Sequence, residues 1–179
     1  DAIVDHEGEG MYGEIFFAAL QSAAFVESDK RKLIDIALSY IPEESKTTAA
    51  IRKAMECYDN HMEFTEARKA IHNTAPGTFG VQSGTIQDIP AEGNEGMEIG
   101  APGFDAPENV AFTIAGWLYG EEDFGKSLCM AVACGEDTDC TCATLGAVLG
   151  IIAGASGLPE KWTAPLDDKI ATLCIDKTR

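Results

Sequence analysis

The sequence lacks long apolar runs, an opening signal pattern and Cys-x-x-Cys pairs. No run of about 18 apolar residues occurs, so it offers no stretch that could span a membrane. No basic segment followed by an apolar stretch opens it, so we expect no secretory signal. No two cysteines have the Cys-x-x-Cys spacing. These absences argue against a membrane-spanning or secreted protein.

The cysteines indicate a reducing compartment. Six are present: Cys57, Cys129, Cys134, Cys140, Cys142 and Cys174. Several lie in apolar segments with helical spacing, so we interpret them as reduced thiols that are buried like small hydrophobic side chains. We therefore predict a cytoplasmic location.

Basic charge is also scarce. The chain has 13 basic and 30 acidic residues, with a formal net charge of −17. Such a surface repels nucleic acid and anionic membranes. The densest basic cluster is Lys30–Lys32. We therefore predict no nucleic-acid and no membrane partner, although a metal ion or helix N-termini could still hold an anionic substrate.

Apolar residues recur with helical periodicity along most of the 179 residues, a length that suits one domain. Ser45 or Thr47 is the predicted cap of the third helix, and Pro107 suits a first helical turn. Gly146, Gly150 and Gly154 recur at every fourth position, which favours close packing of a neighbouring helix. The predicted class is all-α, with helices over about 11–26, 33–41, 50–58, 65–72, 107–118, 124–133, 137–152 and 165–174.

Some residues have simple local interpretations. Gly135 is predicted to end the helix over 124–133, and 158–162 are predicted to form a turn. Trp117 and Trp162 are most simply core residues. His72 lies in a polar helical segment, and we predict no function for it.

Residues 74–106 interrupt this periodicity. They contain seven glycines and three prolines. A loop of this length is either functional or mobile. We predict a loop insertion on the surface of a single domain that covers 1–179, with a substrate lid as the alternative. A short hairpin through 79–81 and 85–89 is compatible with the pattern.

The segment 134–141, Cys-Gly-Glu-Asp-Thr-Asp-Cys-Thr, concentrates the polar chemistry. Three carboxylates lie within four residues, between two very apolar helices. Helix capping explains one or two of them. A divalent cation explains all three, because buried carboxylates need neutralisation and hard cations need oxygen ligands. Spacing alone leaves capping and metal binding equally open.

Two other motifs are weaker candidates. A calcium loop that started at Asp137 would need Gly at its sixth position and Glu at its twelfth, where this sequence has Cys142 and Val148. The string Asp-x-Asp-x-Thr also fits a phosphatase nucleophile loop. That loop should follow a strand early in a Rossmann-like domain, whereas only 38 residues follow Thr141. The phosphatase stays a third alternative.

Three segments resemble the ADP-ribosylglycohydrolase family. Residues 135–150, followed by Gly-Leu-Pro-Glu-Lys-Trp at 157–162, are similar to its C-terminal signature. Residues 109–134 resemble the preceding helix pair, and 5–13 resemble its His-containing substrate loop. The resemblance implies an all-α hydrolase of the dinitrogenase-reductase-activating type. Such an enzyme uses two Mg²⁺ ions, with Mn²⁺ as an alternative, to cleave ADP-ribose from a modified protein or a small conjugate.

The resemblance also implies site residues. Asp137 and Asp139 correspond to metal-bridging aspartates. Cys140 occupies a position that is often a threonine ligand, and its thiol is a poor ligand for Mg²⁺. Thr141 could supply the oxygen instead. The predicted metal ligands are Asp137, Asp139, Cys140 and Thr141.

Near the start of the chain we predict a substrate-binding segment. The resemblance implies that His6 hydrogen-bonds a phosphate or a ribose. Gly8, Gly10 and Gly13 leave backbone amides at a helix start, which suits a phosphate. Tyr12 could stack on adenine. The predicted substrate-binding residues are His6, Gly10, Tyr12 and Gly13.

The resemblance covers the family's C-terminal portion. In the family, further carboxylate ligands and the catalytic base belong to an N-terminal half with a Thr-Asp-Asp cluster. We therefore expect the base outside this chain, and the missing N-terminal segment as a partner. The rival hypothesis is a non-catalytic ADP-ribose-binding or structural relative.

Overall fold

The protein is all-helical throughout the residues described by the computed structural model, which are 2–4, 6–76 and 105–166. The α-helices are α1 (Gly8–Ala24), α2 (Lys30–Leu38), α3 (Lys46–Asp59), α4 (Phe64–Thr74), α5 (Ala106–Tyr119), α6 (Phe124–Ala133), α7 (Thr138–Ala153) and α8 (Glu160–Thr163). Short 3-10 turns cover Ala2–Val4, Ala155–Gly157 and Ala164–Leu166. No strand occurs in these described ranges, and the predicted all-α class is confirmed.

Polar side chains cap the helices where the sequence changes from loop to periodic segment. Ser45 Oγ accepts a hydrogen bond from the Thr48 N–H at 3.1 Å, so the predicted cap of α3 is confirmed. Asp29 caps α2 and Asp123 caps α6 in the same way. These carboxylates satisfy amides that the first turn of a helix leaves without a partner.

The central helix is α5. It packs against α1, α3, α4, α6 and α7, and nearly every side chain along it is buried. Phe112 and Leu118 are fully enclosed, and Trp117 is 3% exposed, as expected for a core residue. Burying an apolar helix on all sides removes a large area from water, so α5 organises the hydrophobic core.

A glycine within α5 allows α6 to approach closely. A Cβ on Gly116 would lie 2.7 Å from the backbone N and Cα of Ala131 on α6. At Gly150 an added Cβ would meet no described atom within 4 Å. Gly154 ends α7 with φ +65°. Among the described residues, Gly150 and Gly154 therefore show no contact that supports the packing role predicted for them.

The C-terminal part differs from the prediction. Glu160–Thr163 form a helix where a turn was predicted. Trp162 was predicted to be a core residue but is 37% exposed, and its ring meets the Phe124 ring edge-on at 6.0 Å. The predicted helix over 165–174 lies mostly outside the described residues.

The loop insertion joins α4, which ends at Thr74, to α5, which begins at Ala106. Of this insertion, 77–104 lie outside the described residues, as does the hairpin predicted there. Its role as a surface loop or a lid stays a prediction.

The cysteines differ in exposure. Cys57 and Cys134 are buried as predicted, whereas Cys129 and Cys140 are exposed; Cys174 lies outside the described residues. The five described cysteines are free. Burial raises the pKa of Cys134 to about 12, so its thiol is protonated.

Among the described residues, no helix combines the length and the apolar character that a bilayer crossing requires.

Candidate functional site

A tight turn between α6 and α7 presents the predicted metal ligands. Two consecutive residues are left-handed, Gly135 with φ +78° and Glu136 with φ +61°. The Thr138 N–H donates to the Glu136 carbonyl oxygen at 3.0 Å and closes the turn. Asp137 is then the N-cap of α7, and Asp139 lies in its first turn. The chain reversal brings both carboxylates to the N-terminal end of α7, where the helix dipole favours negative charge.

The turn forms a carboxylate–thiol cluster that consists of Asp137, Asp139 and Cys140. A carboxylate oxygen of each aspartate and Cys140 Sγ lie within 4.8 Å of one another. Asp139 and Cys140 are exposed, and Asp137 is half-buried. Among the described residues, the Asp137 side chain accepts no capping hydrogen bond from α7. The capping interpretation therefore does not account for its position.

The side chains of Cys140 and Thr141 point in different directions, and of the two it is Cys140 that contacts the aspartates of the cluster. The Cys140 thiol hydrogen-bonds to Asp137, and this bond, with some burial and the nearby aspartate charges, raises its pKa. The Thr141 hydroxyl donates to the Thr138 carbonyl oxygen at 3.2 Å, and Thr141 is 2% exposed. The structure therefore brings Asp137, Asp139 and Cys140 together and turns Thr141 into the interior.

Arg68, on α4, contacts the turn through its guanidinium group. Arg68 Nε donates to the Cys134 carbonyl oxygen at 2.6 Å, and Arg68 Nη2 lies 3.3 Å from Glu136 Oε1. The guanidinium also lies over the Phe112 ring, 5.5 Å from its centroid. The side chains of Arg68 and Glu136 are only 18% and 12% exposed. Partial burial strengthens this charge-assisted contact.

A second pair of ionisable side chains, His72 and Glu108, is buried near this arginine. His72 Nδ1 and Glu108 Oε1 are 2.5 Å apart, and Glu108 is 1% exposed. Burial raises the pKa of Glu108, and the hydrogen bond with His72 offsets part of that rise. The adjacent Asn109 accepts a hydrogen bond from the Asp137 N–H through Oδ1 at 3.2 Å. The first turn of α5 therefore also supports the cluster.

Sequence reasoning missed this supporting layer of Arg68, His72, Glu108 and Asn109. Arg68 and His72 are four residues apart on one face of α4, which is a detectable signal. We assigned no function to His72, which lies in a polar segment. Glu108 resembles an ordinary acidic residue in a first helical turn. Only the packing of α4 on α5 joins them.

The predicted substrate-binding segment lies at the start of α1. His6 Nδ1 is 3.2 Å from Glu14 Oε2, and both side chains are partly exposed. An added Cβ on Gly10 would lie 3.5 Å from His6 Cδ2, so the imidazole lies close to that glycine. The Gly10 N–H donates to the Glu7 carbonyl oxygen at 3.2 Å. Asp5 lies outside the described residues.

Tyr12 and Gly13 face the protein interior. Tyr12 is partly buried against the core, and Gly13 is buried. An added Cβ on Gly13 would lie 3.1 Å from Val110 Cγ2 and 3.8 Å from Ala106 Cβ. The Gly13 amide also lies beyond the first turn of α1, where amides already have helical partners. The structure thus gives Gly13 a packing role, and its binding role gains no support.

Glu9 fixes the start of α1 to α3. Its carboxylate accepts hydrogen bonds from the Lys46 N–H at 3.0 Å, the Thr47 N–H at 2.9 Å and the Thr47 hydroxyl at 2.8 Å. Glu9 therefore supplements Ser45 as a cap of α3 from a different helix. The first turns of α1 are therefore bound to α3 through Glu9. They lie against Ala106 and Val110 of α5 at Gly13.

The first two turns of α5 thus connect the α1 start to the carboxylate–thiol cluster. The described part of the protein is all-helical and brings Asp137, Asp139 and Cys140 together at a helix N-terminus. The ADP-ribosylglycohydrolase family profile matches residues 1–178. The chain therefore belongs to the ADP-ribosylglycohydrolase family, which makes it a glycohydrolase-type protein at the family level. No match was found among curated proteins or among solved structures.

Proposed function

We propose that this chain supplies the divalent-metal ligands of a hydrolase that cleaves the glycosidic bond between ADP-ribose and an acceptor. Family membership supports the reaction class. The acceptor is an ADP-ribosylated protein or an ADP-ribose-containing small molecule. The non-catalytic alternative, an ADP-ribose-binding relative, is an outcome of the test below, and the cytoplasmic location stays a prediction.

The observation that carries this proposal is the arrangement of Asp137 and Asp139. Both are fixed at the start of α7, within 4.8 Å of each other and of Cys140 Sγ. In the described part of the chain, the Asp137 carboxylate makes no capping bond that would explain its placement. Two carboxylates that converge near a surface are what a hard divalent cation requires.

The donor set fits Mg²⁺ at its two carboxylates. Asp137 and Asp139 would hold the ion, and Mn²⁺ suits the same oxygens. The Cys140 sulfur suits softer cations, and its raised pKa keeps it protonated. Thr141, predicted as the alternative oxygen ligand, has its hydroxyl engaged within α7. When bound, the metal supplies Lewis-acid polarisation of substrate oxygens and of water.

The chain's own residues then position the reaction. The Asn109 side chain and Arg68 hold the turn, so Asp137 and Asp139 need little reorganisation. His6 and the first turn of α1, at the same end of α5, are the candidates for contacting a phosphate or a ribose. The remaining ligands and the base would come from the N-terminal segment that we propose as a partner.

Release of ADP-ribose from ADP-ribosylated protein tests the proposal. The full-length protein should release ADP-ribose with Mg²⁺ and lose at least about a hundredfold in rate with a chelator. Asp137→Asn and Asp139→Asn should do the same, whereas Asp59→Asn, which changes a surface carboxylate paired with Arg31, should not. Mg²⁺ should also raise the melting temperature of the wild type but not that of Asp137→Asn.

The outcomes separate the alternatives. Binding of ADP-ribose without hydrolysis would support the non-catalytic relative. Full activity in the presence of a chelator would overturn the metal assignment. Release of inorganic phosphate from a phosphomonoester, with no action on ADP-ribose conjugates, would favour the phosphatase.

A further inference from the structure

The turn that carries Asp137 and Asp139 is conformationally demanding. Glu136 has φ +61°, a left-handed conformation that residues other than glycine rarely adopt because their Cβ crowds the backbone. Gly135 before it is also left-handed. Such a backbone persists when the surrounding contacts hold it in place.

Those contacts converge on one side chain. Arg68 contacts the turn at two points. Its Nε donates to the carbonyl oxygen of Cys134, before the left-handed pair, and its Nη2 donates to the carboxylate of Glu136, within that pair. An added Cβ on Gly135 would lie 3.6 Å from Arg68 Nη2, so the guanidinium lies directly against the turn.

The chemistry of the contact requires arginine. A planar guanidinium donates from two nitrogens in fixed directions while its face packs on an aromatic ring, here Phe112 at 5.5 Å. A lysine ammonium is a point charge and cannot reproduce both directed bonds together with the stacking. The arrangement therefore fixes the direction of the turn as well as its charge.

We propose that Arg68 is the positioning residue of the metal site, acting through Glu136 to aim Asp137 and Asp139 at one ion. This inference rests on the proposed function, since it needs a cation at those carboxylates. Groups that orient metal ligands typically change metal affinity by about 10–100-fold when they are altered.

Metal affinity, and not activity, is the decisive measurement. The Kd for Mn²⁺ is measured on the full-length protein from the electron paramagnetic resonance signal of free Mn²⁺. Asp137→Asn supplies the background, because a chain with net charge −17 also attracts cations non-specifically. We expect Arg68→Lys to raise the Kd by roughly tenfold or more.

A matched control is Arg31→Lys. Arg31 also pairs with a carboxylate, Asp59, and stacks on an aromatic ring, that of Tyr58 at 5.5 Å. This pair joins α2 to α3 and does not contact the turn. The Kd of the Arg31→Lys variant for Mn²⁺ should therefore stay within about twofold of the wild-type value.

Glu136→Gly separates positioning from stability. Glycine adopts the left-handed conformation without strain, so the metal-free melting temperature should be kept or raised although the tether to Arg68 is lost. The Kd for Mn²⁺ should nevertheless rise. A purely structural Arg68–Glu136 contact would give the reverse, a lower melting temperature with an unchanged Kd.

Two negative results have different meanings. If the wild type binds Mn²⁺ and the Kd is unchanged in both Arg68→Lys and Glu136→Gly, the positioning proposal is overturned and the metal site stands. If the wild type shows no binding above the Asp137→Asn background, both proposals fail.

Discussion

Cys140 gives the carboxylate–thiol cluster a mixed donor character. Its sulfur lies within 4.8 Å of two carboxylate oxygens, yet it is exposed, in contrast to the buried Cys134. Its raised pKa means that the thiol stays protonated at neutral pH, so it donates a hydrogen bond to the Asp137 carboxylate. A thiol in this position competes with a hard cation for Asp137 and offers little in return.

Cys140→Ser tests the consequence. A hydroxyl is a harder ligand than a thiol, so Mg²⁺ should bind more tightly by on the order of tenfold, and Zn²⁺ should bind more weakly. Calorimetric titration of the full-length protein with each cation measures both changes.

Cys129→Ser is the control for this substitution. Cys129 is exposed on α6 but is not part of the cluster, so its replacement should leave both affinities unchanged. Identical titrations for Cys140→Ser and the wild type would show that position 140 does not contact the ion.

At the scale of elements, the contact of α5 with α6 depends on the absence of a side chain at Gly116. The backbones approach so closely at Gly116 that no Cβ fits against Ala131. Both helices adjoin the turn, since Asn109 on α5 accepts a hydrogen bond from the Asp137 N–H and α6 leads into Gly135. Their spacing therefore sets the position of the cluster as well as the core density.

Gly116→Ala should lower the free energy of unfolding by about 1–3 kcal/mol, because the new methyl group would force the helices apart. Gly150→Ala is the matched substitution. It lies within α7, with open space among the described atoms where its Cβ would be placed. It should raise the stability by about 0.5–1 kcal/mol, since alanine loses less backbone entropy than glycine.

Urea denaturation followed by circular dichroism measures both variants. Equal effects of the two substitutions, in either direction, would contradict the close approach at Gly116.

At the scale of the whole molecule, a highly acidic chain buries a glutamate in the first turn of its central helix. The pKa of Glu108 is raised above 4.5, first by burial, while the hydrogen bond with His72 acts in the opposite direction. Because the folded-state pKa is the higher one, the folded protein retains this proton longer than the unfolded chain. The resulting stabilisation is present below about pH 4.5 and is lost as the pH rises through the folded-state pKa.

Glu108→Gln should remove this dependence. Glutamine keeps the size and a hydrogen-bonding oxygen but cannot ionise. As the pH rises from 4.5 to 7, the variant should gain stability relative to the wild type by on the order of 1 kcal/mol. Unfolding free energies from urea titrations across this range provide the measurement.

For Glu63→Gln, the stability difference from the wild type should change with pH in the opposite direction. Hydrogen bonds from Thr65 lower the pKa of Glu63, so its contribution to stability is present above the ordinary glutamate pKa and is lost as the pH falls. The burial argument would be contradicted if the difference in unfolding free energy between Glu108→Gln and the wild type did not change with pH. It would also be contradicted if that difference changed in the same direction as for Glu63→Gln.

The amino-acid sequence by itself determined the helices and the motif. Helical periodicity, Ser45 as a cap and Gly135 as a breaker are local signals, because they depend on backbone propensity and on hydrogen bonds within one turn. The segment 135–141 was likewise visible, since its three carboxylates are consecutive or nearly so. The class, the family and the positions of Asp137 and Asp139 at a helix start could therefore be predicted.

Only the tertiary structure decided what supports these residues. Arg68 and Glu136 are far apart in the chain, as are His72 and Glu108, and their pairing depends on how α4 packs against α5 and the turn. The exposure of Trp162, the interior direction of Thr141 and the close approach at Gly116 depend on the same packing. Long-range contacts arise from the shape of whole helix surfaces, which no local pattern encodes.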